Sequence, residues 1–112
     1  ENHPQYVDAY LEALWKKALA SWFLEEQKYT VGLLLVAYDE YKRLAPQNIR
    51  IAHAQYHRGE VYIELGKLKK ATKSFLVALD QYQRIDPNMV EIAETYFALA
   101  ENYSNNNHNK LV

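Results

Sequence analysis

His53, His57 and Glu60 are the side chains whose types and spacing come closest to a metal site. Residues three or four apart lie on one face of a helix, so the two imidazoles and the carboxylate would be neighbours there. Zinc binds such nitrogen and oxygen ligands. The order differs, however, from the His-Glu-x-x-His motif of zinc proteases. We therefore favour a polar histidine pair without a metal, and we expect no bound cofactor.

No other pattern is typical of an enzyme. The chain has three glycines, too few for a glycine-rich phosphate loop, and it has no cysteine and no nucleophile motif. Glu25 and Glu26, like Asp39 and Glu40, are sequence neighbours that point in different directions on a helix or lie in a turn. We expect these carboxylates to be solvated, and we expect no catalytic residues and no enzymatic activity.

Charge and hydropathy disfavour nucleic-acid and membrane partners. The formal net charge is −1 and no basic block is present. The apolar run at residues 31–38 is far shorter than the roughly 20 residues that cross a bilayer. The absence of cysteine is compatible with a reducing cytoplasm, which is the predicted location. A basic cluster is expected to be a solvated helix face; it contains Lys67, Lys69, Lys70 and Lys73.

An internal repeat organises the chain. The sequence AYDEYKRLAP at positions 37–46 returns at positions 78–87 as ALDQYQRIDP, and the small residues Ala18, Gly59 and Ala100 follow the same offset. A period of about 41 residues is typical of helix pairs stacked into a solenoid. We predict one repeat domain over residues 1–112, with units at about 4–45, 46–86 and 87–112. The third unit is incomplete, which suggests a segment of a longer protein.

Prolines mark the expected beginnings of helices. Pro4, Pro46 and Pro87 each precede a stretch with helical spacing, and proline is tolerated in the first helical turn because its missing N–H has no intrahelical partner there. The pattern predicts an all-α fold with about five antiparallel helices, at about residues 4–24, 29–44, 46–65, 68–85 and 87–103.

Three equivalent positions are expected to lie in turns. Gly66 is the predicted end of the third helix, because glycine readily adopts the left-handed conformation that closes a helix. Glu25 occupies the same place in the first unit, which predicts a turn of a different kind. Asn107 is the third equivalent, and the asparagine-rich run around it predicts a turn into a sixth helix that begins near Lys110.

Apolar stripes define the expected buried faces. Gly59 is predicted to let the two helices of its unit approach closely, so a leucine there would overpack the contact and cost about 1 to 3 kcal/mol. The stripes are Tyr10, Leu14, Ala18 and Trp22 in the first helix; Leu68, Ala71, Phe75, Ala78, Tyr82 and Ile85 in the fourth; and Val90, Ala93, Phe97 and Ala100 in the fifth.

The second unit resembles the tetratricopeptide repeat (TPR). The resemblance implies an all-α, right-handed helical solenoid whose inner surface binds peptides or proteins. It is weaker in the first unit, where Ser21, Glu25 and Thr30 replace three landmarks. Lengthened repeats of this kind are similar to those of kinesin light chains and of bacterial peptide-sensing regulators. The matching landmarks are Gly59, Tyr62, Gly66, Ala71, Phe75 and Ala78.

A narrower resemblance concerns residues 51–57, 61–62, 78–83 and 101–103. These stretches resemble the early repeats of the bacterial response-regulator aspartyl phosphatases and their quorum-sensing relatives. That resemblance implies binding of short signalling peptides in the repeat groove, within a peptide-responsive signalling regulator. The amino-terminal helical bundle or DNA-binding domain that serves as output in those proteins has no counterpart in this sequence.

The inner surface formed by the first helix of each unit is the predicted peptide- or protein-binding groove. Trp22 and Phe23 could equally well pack between units. A groove that binds chaperone tails would carry lysine and asparagine, whereas Trp15, Leu19, Tyr56 and Glu60 occupy these faces, which disfavours that ligand. The predicted groove residues are Lys16, Trp22, Phe23, His53, Tyr56, His57, Glu60, Glu64, Glu94, Phe97 and Glu101.

A structural role is the alternative function. The fifth helix lacks the second helix of its unit, so its apolar stripe would need another cover. Docking onto a second copy would make the chain an assembly or oligomerisation scaffold. In that case a charge at Val90 or Phe97 is expected to break the dimer.

Overall fold

The chain folds into five α-helices. The structure is a computed structural model that describes residues 5–111, with side chains described for residues 5–105. Each helix packs against the next one along the chain. No strand occurs in this part of the chain, so the all-helical prediction is confirmed. The helices are α1 (Gln5–Phe23), α2 (Gln27–Leu44), α3 (Arg50–Glu64), α4 (Leu68–Ile85) and α5 (Val90–Leu111).

The helix bounds follow the repeat period of the sequence. Helices α2 and α4 begin and end at equivalent positions of the period, and α1 and α3 also end at equivalent positions. Within the described residues, no helix is both long and apolar enough to cross a membrane. The four lysines of the basic cluster are exposed, as predicted.

The prolines lie before the helices and not in their first turns. Pro46 and Pro87 each sit in a separate turn, closed by bonds from Asn48 N to Ala45 O at 2.9 Å and from Met89 N to Asp86 O at 3.2 Å. The helices begin only after these turns, so the predicted starts were a few residues early. Pro4 lies outside the described residues.

Helices α1 and α3 end in the same hydrogen-bonded turn. Glu25 has φ 61° and Gly66 has φ 75°, so both adopt the left-handed conformation. The N–H groups of Glu26 and Lys67 reach back five residues to carbonyl oxygens at 2.9 and 2.8 Å, which is the Schellman pattern. The prediction of a different turn at Glu25 was wrong: the first unit keeps the turn and accepts the strain of a side chain at positive φ.

The core follows the predicted stripe in α4 but not in α1. Ala71, Phe75, Ala78 and Tyr82 are buried, whereas Leu68 is half-buried and Ile85 exposed. In α1 the predicted row advanced by four residues at each step, and such a row drifts by about 40° per step around the helix. It therefore left the buried face: Tyr10 is exposed, Leu14 and Trp22 are half-buried, and the buried residues are Leu11, Trp15, Ala18 and Ser21.

Gly59 allows α3 to approach α4 closely. A Cβ atom at this position would lie 2.6 to 2.8 Å from three carbons of the Phe75 ring. Both residues are buried, so the ring has little room to move away. The Phe75 ring thus leaves no room for a side chain at Gly59, which accounts for the expected role of this glycine at a helix crossing.

A pair of buried hydroxyl groups joins the two helices of the first unit. Ser21 Oγ and Thr30 Oγ1 are buried and lie 2.6 Å apart, which joins α1 to α2. Ser21 also lies 2.7 Å from Ala18 O, and Thr30 lies 3.0 Å from Glu26 O. The two hydroxyl groups have two hydrogens for three contacts. One hydroxyl therefore donates to the other, and the hydroxyl that accepts this bond donates to its backbone carbonyl.

Helix α5 differs most from expectation. It continues past Asn107 and includes Lys110, so the predicted turn and sixth helix are not formed. Asparagine lowers helix stability by only about 0.7 kcal/mol per residue, which is too little to end a helix where no tertiary contact requires a turn.

The predicted inward stripe of α5 was also wrong. Ala93 and Ala100 are exposed, and Val90 and Phe97 are exposed as well. Thr95 and Asn102 are the residues buried against α4. Helix α3 packs against both α2 and α4, whereas α5 packs against α4. The side of α5 that corresponds to the α4-facing side of α3 is therefore open.

Candidate functional site

Four aromatic rings surround His57 on the face formed by α1, α3 and α5, which we call the α1–α3–α5 face. Their centroids lie 5.3 Å (Trp22), 5.9 Å (Trp15), 6.0 Å (Tyr56) and 6.4 Å (His53) from that of His57. All of these side chains except Trp15 are half-buried. The cluster therefore offers apolar and π surface while it also packs α1 against α3.

Carboxylates line this ring cluster. The Trp22 Nε1–H donates to the two Glu64 oxygens at 3.0 and 3.2 Å. His57 Nδ1 lies 2.8 Å from Glu60 Oε1, and because a carboxylate only accepts, Nδ1 carries the hydrogen. Burial raises the pKa of the Tyr56 phenol, and three nearby carboxylates, one on α3 and two on α5, raise it further. These carboxylates are Glu60, Glu94 and Glu101.

An arginine network supports the cluster from the side of α2. The Arg50 guanidinium lies 5.1 Å from the Trp15 ring centroid, forms an ion pair with Glu12 and donates to the Tyr41 hydroxyl at 3.0 Å. Tyr41 in turn donates to the Leu11 carbonyl at 3.2 Å. The hydrogen bond from Arg50 holds the pKa of Glu12 below its usual value. Three helices are thus joined next to the ring cluster.

The equivalent positions in the next unit carry the opposite charge pattern. His53, Tyr82 and Glu91 lie one repeat period after Glu12, Tyr41 and Arg50. Burial raises the pKa of Tyr82, so its hydroxyl is neutral, and it shares a hydrogen bond of 2.6 Å with His53 Nδ1. Burial, followed by the charge of His57, lowers the pKa of His53. Both effects favour the neutral imidazole of His53.

The histidines do not converge on a common point. His53 Nδ1 is bonded to Tyr82 and His57 Nδ1 to Glu60, so each ring has its own partner. Across the described residues, no group of three or more His, Asp or Glu side chains is arranged to hold a metal ion. The pair belongs instead to the ring cluster.

The structure brings together some of the predicted groove residues and separates others. Lys16 pairs with Glu12 at 3.7 Å on the exposed side of α1, Phe23 is 88% exposed at the end of α1, and Phe97 is 64% exposed on α5. The residues joined through rings, hydrogen bonds or nearby charge are Trp22, His53, Tyr56, His57, Glu60, Glu64, Glu94 and Glu101.

Arg50 belongs to the site but was not predicted there, and Trp15 was placed on these faces from the sequence without being included among the predicted groove residues. Trp15 lies one repeat period before Tyr56, so the repeat phase contains the signal that places it on this face. Arg50 has no such signal, because its equivalents in the period differ in charge.

The α1–α3–α5 face is an open surface. Two larger depressions lie elsewhere, one of about 500 Å³ beside the α1–α2 turn and Leu65, and one of about 470 Å³ between Lys42, Ile51 and Arg84. A depression of about 310 Å³ at Leu19, Trp22 and Phe23 adjoins the ring cluster. A ligand on this face would be an extended chain or a helix. It would lie across the face, and the face would not enclose it.

Comparison with known proteins leaves the site to be interpreted from its own geometry. The chain matches no protein-family model, and no curated protein was found that is similar to it. Fold and site together define an all-helical protein with an open aromatic and acidic face.

Proposed function

We propose that this chain is a cytoplasmic, non-catalytic helical-repeat module of the TPR type, and that it binds a peptide or a protein segment on the α1–α3–α5 face. The observation that carries the proposal is the half-buried ring cluster around His57 with carboxylates at its edge. Aromatic side chains give anchoring area at low entropic cost, and fixed charges give orientation.

Two features support the TPR type and its right-handed solenoid. The helix-ending turns at Glu25 and Gly66 recur with the sequence period. Gly59 and Phe75, two of the landmark positions, meet at the helix crossing. The sharper form of the proposal is that the chain belongs to a bacterial peptide-responsive signalling regulator, which rests only on the resemblance of residues 51–57, 61–62, 78–83 and 101–103.

The charge of the face favours a basic ligand. Glu60, Glu64, Glu94 and Glu101 lie around the rings, and Arg50 is already paired with Glu12. A segment with lysine or arginine next to an apolar residue would match both the charge and the apolar area. An acidic segment of the same length would be repelled.

Fluorescence anisotropy with two labelled peptide pools tests this proposal. The pools share an apolar residue and differ only in carrying lysine and arginine or aspartate and glutamate. We expect the basic pool to bind and the binding to weaken as salt rises. The double variant Glu60→Gln/Glu64→Gln should lose about tenfold in affinity, equivalent to about 1.4 kcal/mol. Asp39→Asn, an exposed charge on α2, is the control and should bind as the parent does.

The competing interpretation is that the cluster only packs α1 against α3. In that case Tyr56→Ala would lower the melting temperature but leave anisotropy unchanged. Equal binding of the basic and acidic pools, or no binding of either, would refute the proposal.

A further inference from the structure

Helix α5 has an uncovered stripe of residues. The equivalent residues of α3, in the preceding unit, are buried or half-buried. The stripe consists of Ala93, Tyr96, Ala100 and Tyr103, spaced three, four and three residues apart, and all four are exposed, Tyr96 by 53% and Tyr103 by 68%. On α3 two of the same positions, Ala52 and Gly59, pack against α4, and Tyr62 lies beside Lys70 of α4. The α3 residues are Ala52, Gln55 and Gly59, which are buried, and Tyr62, which is half-buried.

A covering helix that places a phenylalanine where α4 has Phe75 does not fit this stripe. Ala100 stands where α3 has Gly59, and a Cβ there would come within 2.6 Å of a ring placed like that of Phe75. Tyr96 stands where α3 has the smaller Gln55. Both changes add bulk at the point where a covering helix would cross. The stripe therefore requires a partner of different shape.

The order of small and large residues along the stripe is self-complementary. Ala93 and Tyr103 are equally far from residue 98 along the helix, and so are Tyr96 and Ala100. When two copies of α5 cross antiparallel at residue 98, each tyrosine lies over an alanine of the other copy. A two-fold symmetric interface requires this reciprocity, in which one residue meets a second and the second meets the first.

Charge does not oppose this arrangement. Glu94 and Glu101 point about 80° to 100° away from Ala93 around the helix, toward the α1–α3–α5 face. Glu91 lies on the side of α5 that packs against α4. The Tyr96 hydroxyl accepts a hydrogen bond from Gln83 at 3.4 Å, which holds the phenol at the edge of the stripe. Antiparallel helices also place opposite dipole ends side by side.

We propose that a second copy of this chain covers the stripe, with the two α5 helices antiparallel and crossing at residue 98. A single helix pair buries an area at the low end of specific interfaces, below about 1,200 Å² in total, so the dimer is weak and concentration-dependent. Phe97 points about 60° away from Ala100 and about 100° away from Tyr96 around the helix, so it lies beside the stripe and outside its alanine–tyrosine pairs.

Sedimentation equilibrium on a swap series tests the proposal. Tyr96→Ala leaves two alanines opposed, and Ala100→Tyr makes two tyrosines collide, so each should weaken the dimer at least about tenfold. The double variant Tyr96→Ala/Ala100→Tyr restores the reciprocal order and should restore the dimer. Phe97→Ala is the control and should dimerise as the parent does.

The outcomes separate the proposal from its competitors. All substituted side chains are exposed, and circular dichroism melts check that the variants fold. A parent that stays monomeric at the highest concentration overturns the proposal and assigns the stripe to a different partner. A dimer that survives both single substitutions, or a double variant that stays monomeric, overturns the antiparallel pairing.

Discussion

At the scale of single residues, Gly59 allows the close approach of α3 and α4. We expect Gly59→Ala to destabilise the fold by about 1 to 3 kcal/mol, because its Cβ would meet the buried Phe75 ring. Chemical denaturation measures the change. Gly32→Ala on α2 is the matched control: no atom lies within 4 Å of its Cβ position, so alanine should stabilise the helix by up to about 1 kcal/mol.

A second substitution can relieve the clash at Gly59. The first unit has Ala18 and Leu34 at the equivalent positions, both buried. Gly59→Ala combined with Phe75→Leu should therefore recover part of the lost stability. Additive losses in the double variant would show that the ring contact is not the cause.

Glu25 and Gly66 allow a paired test of backbone strain. Both have positive φ, but only glycine adopts that conformation without cost. We expect Glu25→Gly to stabilise the protein and Gly66→Ala to destabilise it, each by about 1 kcal/mol. Thermal melts of the two variants should shift in opposite directions, and a shift in the same direction would contradict the common turn.

His53 should make stability depend on pH. Burial and the charge of His57 lower its pKa in the folded state, so the unfolded chain binds more protons just below pH 6.5. Stability then falls as the pH drops below about 6.5, and this contribution levels off below the folded-state pKa. Urea titrations from about pH 7.5 to about pH 5 should show this slope, and His53→Gln should flatten it.

At the scale of the helices, the positions of α3 and α5 predict different local stability. Helix α3 packs against two neighbouring helices, whereas the outer side of α5 is open. We expect amide exchange to be slowest in α3 and clearly faster in α5. Protection in α5 should increase with protein concentration if a second copy covers the stripe. Equal protection in α3 and α5 at low concentration would contradict this description.

The helices themselves were predictable from the sequence because local patterns determine them. The repeat period, the stripe from Ala71 to Tyr82 and the left-handed Gly66 all have short-range signals, and the structure confirms them. The first unit lacked such a signal at Glu25, since nothing local shows that a strained glutamate is tolerated. The helix neighbours supply the packing that maintains it.

The site was less predictable because long-range pairs build it. Glu64 lies 42 residues from its partner Trp22, and Arg50 lies 38 residues from Glu12. No spacing rule links such pairs. Helix α5 was mispredicted for the same reason: its apolar residues predicted an inward stripe, whereas Thr95 and Asn102 are the buried residues. The Thr95 hydroxyl donates to the Glu91 carbonyl within α5, and the Asn102 amide nitrogen donates to Leu68 O and Thr72 Oγ1 on α4.

For the whole molecule, the two proposed surfaces should act independently. Phe97→Glu adds a carboxylate on the side of α5 that carries Glu94 and Glu101, so it should strengthen binding of the basic peptide pool and should not alter the dimer. Ala100→Tyr should weaken the dimer and leave peptide affinity unchanged. Anisotropy and sedimentation on the same two variants check this, and loss of both properties in either variant would indicate one shared surface.

The hydrogen bond between Trp22 and Glu64 also gives the protein a built-in optical reporter. The chain contains two tryptophans, of which Trp15 is buried and Trp22 is half-buried beside the ring cluster. The emission of Trp22 depends on its indole N–H partner and on its contact with water, whereas Trp15 is shielded from both changes. A ligand that displaces Glu64 or covers the rings would shift the Trp22 emission against a constant background from Trp15. Occupancy of the α1–α3–α5 face can thus be followed in the unlabelled protein.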